Sequence, residues 1–136
     1  MTTRSIMVAT AALFGAVGAA FLFAPLETAA WLGLGTSSDN ESTLTLVGAL
    51  CFAFAFLDWN GRSAIYGGIY GRPIAMANLM AGVFLSLELA QAQWGRPAAS
   101  GPAQAMGWVV SLLFLAQTVA FVGVIFSRPW VRTEAP

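Results

Sequence analysis

The sequence predicts an all-α fold, a polytopic membrane protein built as a four-transmembrane-helix bundle with cytoplasmic N and C termini. Three observations predict it. Charged residues make up only 9% of the 136 residues, against roughly 25% in an ordinary soluble domain. Four apolar runs each approach the length of about 20 residues that spans roughly 30 Å of hydrocarbon. Arginine and tryptophan collect at the ends of those runs. The mean hydropathy of +0.75 agrees with lipid as solvent, and the length suits a single membrane domain over residues 1–136.

The first span, "SIMVATAALFGAVGAAFLFA" over residues 5–24, is uninterrupted and stops at Pro25. Its apolar length exceeds the 7–15 residue core of a cleaved leader, and Phe21, Leu22 and Phe23 follow the small residues near Ala19. It reads as a retained span. "PLETAAWLGLG" over residues 25–35 is then either a short helix on the outer surface or an irregular loop. As a helix it sets Leu26, Ala30 and Trp31 toward lipid and Glu27 toward water.

"SDNE" has the form of a capping box, with Ser38 as N-cap and Glu41 three residues on, so the second span runs over residues 39–59. The third covers 73–94, with Pro73 at a first helical position that needs no N–H. "GRPAASGP" is a turn, the fourth span covers 106–126, and "RTEAP" is a frayed end.

Orientation follows from the arginines. Arg4, Arg62, Arg72, Arg128 and Arg132 fall on one side and Arg96 alone on the other, which places both termini in the cytoplasm of a bacterial plasma (inner) membrane protein. Trp31, Trp59, Trp94, Trp108 and Trp130 lie near predicted boundaries, where an amphipathic ring is at home.

Between helices in lipid, small residues and polar bonds do the work that hydrophobicity does in water. The first span offers Ala11, Gly15 and Ala19 at spacing four, with Ala12, Ala16 and Ala20 beside them. The third offers Ala77 and Ala81, and Asn78, Gly82 and Ser86. Phe52, Phe54 and Phe56, with Phe114 and Phe121, suit looser contact with lipid or a partner.

Glu88 lies about six residues, or roughly 9 Å, inside the third span. Gln117 lies about one helical turn from that depth on the fourth. Glu88, Gln117 and Gln91 form either a proton or cation site or a polar clasp, and a glutamate snorkelling to the surface is a further structural reading. Asn78, near the cytoplasmic end of the third span, bonds across helices. Asp58 with Arg62 or Arg72 makes an interfacial ion pair of little energetic weight.

"AIYGGIYGRPIAMAN" has glycines, yet no P-loop lysine or hydroxyl and no preceding strand. It reads as a hinge at the membrane surface, with Tyr66 and Tyr70 at belt depth and Arg62 and Arg72 toward lipid phosphates. The alternative is a pocket for a lipid headgroup or for a partner's acidic group.

The series "FAPLE", "LGLG", "LVGALCFAFAFLDW" and "GGIYGRPIAMAN" resembles that of small, uncharacterised four-helix bacterial integral membrane proteins. The resemblance covers most of the chain and implies the architecture alone, with no activity attached.

The absence of histidine and the lone Cys51 argue against an enzyme, a metal site or a cofactor. Without a basic block, nucleic acid is not an expected partner. The function expected is an accessory or structural subunit of a larger membrane complex, with lipid and a protein partner or a second copy around it. The alternative is a small oligomeric transporter or channel with a proton- or cation-binding site at Glu88.

Overall fold

The computed structural model describes residues 3–34, 37, 40–63, 71–94 and 101–126. Among them are five helices and no strand: α1 (Thr3–Phe23), α2 (Pro25–Trp31), α3 (Glu41–Gly61), α4 (Gly71–Trp94) and α5 (Pro102–Phe126). All but α2 are long and apolar enough to cross a membrane.

Pro25 both ends α1 and starts α2, because proline lacks the N–H a helix interior needs but tolerates the first turn. The segment after the first span is therefore helical, and the loop reading falls. Its Ala29 is fully buried, Glu27, Ala30 and Trp31 point outward, and Thr28 Oγ1 donates to Ala20 O at 3.0 Å. Past Leu32 the chain turns through Gly33 at φ +67, a conformation that favours glycine.

Helix α3 starts at Glu41, later than the capping box implies. Asn40 is the N-cap, in helical conformation and with no side-chain cap bond. Ser38 and Asp39 lie outside the described residues. Helix α4 starts at Gly71, so Pro73 is its third residue, still within the first turn whose N–H groups have no helical partner. Helix α5 begins earlier than residue 106, with Pro102 at its first position.

The helices approach as two close pairs, α1 with α3 and α4 with α5. A Cβ built on Gly18 would stand 2.6 Å from the backbone N of Phe52, and one on Gly48 would stand 2.8 Å from that of Leu22. Only glycine permits such backbone contact. The buried face of α1 is Met7, Thr10, Ala11, Phe14, Gly18 and Phe21, whereas Ala12 and Ala16 point outward. On α4, Asn78, Gly82 and Ser86 are buried as their spacing predicts.

Three apolar clusters stack along the bundle and fill the wider space between the pairs. Met7, Ala75 and Phe121 form one; Phe14, Cys51, Ala55 and Phe114 the next; Phe21, Ala29 and Leu32 the last, under α2. Phe114 and Phe121 are 1% and 0% exposed, which corrects their assignment to lipid or partner. They share the α5 face with Gly107 and Ser111, which brings α4 close. Phe52 and Phe56 do point outward, while Phe54 stacks on Phe14 at 5.3 Å between ring centroids.

Trp31 and Trp94 end their helices and Trp59 lies near the end of α3, all three exposed. The rings of Trp94 and Trp108 meet edge to face at 5.8 Å.

Candidate functional site

Gly48, Cys51, Ala55, Asp58 and Gly61 are buried along α3 at three- and four-residue steps, on one stripe. The register of the α1–α3 pair sets Gly15 against Ala55 and Met7 against Gly61, so Asp58 lies at the level of Thr10 and Ala11. It is 0% exposed. Helix α4 brings Asn78, also 0% exposed, to meet it from the other pair. Asn78 Nδ2 donates to Asp58 Oδ1 at 2.5 Å and to Ile74 O at 3.0 Å. From α5, Gln117 Nε2 donates to the backbone oxygen of Asn78 at 3.4 Å.

Three helices thus converge on one polar layer, between the Met7–Ala75–Phe121 cluster and the Phe14–Cys51–Ala55–Phe114 cluster. Three buried oxygens in it have no hydrogen-bond partner: Asp58 Oδ2, Asn78 Oδ1 and Gln117 Oε1. All are acceptors, and buried acceptors are rarely left unpaired. As arranged, the layer leaves three acceptors without a donor directed at them.

Comparison with protein families, with curated proteins and with solved structures gives no match for this chain. No activity comes to it from a relative, and the site stands on its own geometry.

The residues expected to form one polar site divide in two. Asn78 and Gln117 are joined and buried. Glu88 and Gln91 point outward from α4. Gln117 turns to Asn78 and not to Glu88, because the small-residue face of α4 is the one that meets α5. The expected ion pair of Asp58 with an arginine is also replaced. Asp58 bonds to Asn78, while Arg62 donates to the carbonyl oxygen of Trp59 and lies over its ring at 4.4 Å. Arg72 is exposed on the first turn of α4. Tyr66 and Tyr70, and with them most of the proposed hinge, lie outside the described residues.

A third buried amide, Gln93, stands apart from the residues singled out in the sequence. Gln93 Nε2 donates to Leu32 O at 2.8 Å and pins the end of α2 to α4. Ser111 Oγ donates to Ser86 O at 2.9 Å and links α5 to α4. The sequence signal for Gln93 is its phase: it falls seven residues beyond Ser86, on the same face of α4.

Proposed function

We propose that this protein is a multi-pass subunit of the bacterial plasma membrane, with both termini cytoplasmic, that serves a larger membrane complex as an accessory or structural component without catalysis of its own. The observation that carries the reading is the outer face of α4. Phe84, Leu87, Glu88 and Gln91 recur there at helical spacing and all are exposed. A carboxyl group on the outward face of a membrane helix is costly against hydrocarbon. A partner helix that offers an arginine, a lysine or an amide at the depth of Glu88 removes that cost and adds a directional bond. The arginine distribution supports the orientation, and the absence of histidine supports a role other than catalysis.

Extraction in mild detergent followed by native mass spectrometry tests the proposal. The expected result is a stoichiometric membrane partner that is lost, with the fold intact, when Glu88 and Gln91 are both changed to leucine. A homogeneous monomer, or a dimer of this chain alone, overturns it.

A further inference from the structure

We propose that Asp58, Asn78 and Gln117 form an occluded site for a single monovalent cation, either a proton or a sodium-sized ion. This is independent of the α4 docking face, which lies on the opposite side of that helix.

Asp58 is buried in a layer closed by apolar side chains toward both ends, and its bonded partner is a neutral amide. Placing a carboxylate there without a counter-charge is among the least favourable arrangements a protein can hold. Among the described residues, the surrounding faces supply no such charge. Helix α1 contributes Met7, Thr10 and Ala11 at this level, α4 contributes Ala75 and Gly82, and α5 contributes Thr118. None is ionisable. Arg62, one turn along α3, is engaged with Trp59, and Asp58 Oδ2 has no hydrogen-bond partner.

Both hydrogens of the Asn78 amide are already given, one to Asp58 Oδ1 and one to Ile74 O. What remains is one carboxylate oxygen and two amide oxygens, all buried and all unpartnered. Hard cations take oxygen ligands of this kind. A proton taken from water onto Asp58 Oδ2 forms an O–H bond that donates to Asn78 Oδ1 or Gln117 Oε1. It thereby cancels the charge and satisfies an amide oxygen at once. A sodium-sized ion cancels the same charge and takes lone pairs from the orphaned oxygens. A water molecule would satisfy oxygens but leave the charge in place, which is why the site is assigned to a cation.

The layer also links the two helix pairs, since Asp58 belongs to one and Asn78 and Gln117 to the other. Occupancy of the site is therefore coupled to how the pairs sit together.

Two measurements on the full chain in detergent test this. Thermal unfolding at fixed pH and ionic strength compares sodium with choline chloride. Infrared difference spectroscopy of wild type against Asp58→Asn at neutral pH looks for the carbonyl stretch of a protonated carboxylic acid. A melting temperature several degrees higher in sodium, lost in Asp58→Asn, supports the site with a metal ion. A protonated-acid band, absent from Asp58→Asn, supports it with a proton. An ionised Asp58 in a wild-type protein indifferent to sodium overturns the proposal, and that result needs no variant to melt normally.

Discussion

Asn78 on α4 holds Asp58 on α3 through a bond of 2.5 Å, and this contact joins two helix pairs whose backbones are otherwise kept apart by aromatic side chains. Removing one partner strands the other. Asn78→Leu leaves the buried Asp58 carboxyl group without its amide donor, at an expected cost of about 1–3 kcal/mol. Asp58→Leu leaves an amide hydrogen unpaired, at about 1–3 kcal/mol. The double variant replaces both by apolar groups and is expected to lose less than the sum of the two. A double-mutant cycle on unfolding in mixed micelles measures the coupling. Strictly additive losses would show that the bond contributes nothing.

The architecture is legible because it rests on run length and on boundary residues, which a sequence displays directly. The pairing of faces is harder to read. Ala11, Ala12, Gly15 and Ala16 of α1 all look alike in a helix this rich in small residues, and only the partner's glycines choose among them. Glu88 stands out as an ionisable residue well inside a span, yet depth says nothing about azimuth. Asp58 has the look of a boundary residue beside Trp59, although its phase with Gly48, Cys51 and Ala55 sets it on the buried stripe. Phase with small residues, more than depth, marks the buried polar groups.

Close approach in the α1–α3 pair makes a size prediction. A methyl group at Gly48 would stand 2.8 Å from Phe21 Cβ and from Leu22 N, so the two backbones must separate. Gly48→Ala is expected to destabilise by about 1–3 kcal/mol, as other overpacked cores do. A Cβ built on Gly123 of α5 would meet nothing within 4 Å. There the same substitution is expected to be neutral or to stabilise by up to about 1 kcal/mol through helix propensity. Melting of the two variants side by side reads the contrast, and equal losses would refute the packing argument.

Gln93 makes a prediction about local order. Its amide donates to Leu32 O, and a Cβ on Gly107 would collide with the same nitrogen. The bond closes one end of the bundle by tying α2 to α4 across α5. Gln93→Leu removes the donor and leaves a buried carbonyl unpaired, costing about 1–3 kcal/mol. The loss should be local. Hydrogen exchange of the amides of Leu32 and Leu34, which donate to Thr28 O and Ala29 O, is expected to speed up, while amides near Asp58 keep wild-type rates. Uniform acceleration across the chain would mean that α2 does not open separately from the bundle.

The last prediction separates the aromatic residues by face. Phe114 is 1% exposed and its ring lies 5.4 Å from that of Phe14, with the two helix pairs on either side. Phe114→Ala opens a cavity where the pairs meet and is expected to cost about 3–5 kcal/mol. Phe56, outward on α3 and 67% exposed, touches the surrounding solvent or lipid. Phe56→Ala changes little of the internal packing, so its loss should stay below about 1 kcal/mol, within the range of outward substitutions. Both variants alter one aromatic side chain in a span, so their hydropathy change is the same. Denaturation curves for the pair therefore isolate packing from hydropathy. Comparable losses would place Phe114 outside the core and remove the aromatic layer that keeps the two helix pairs apart.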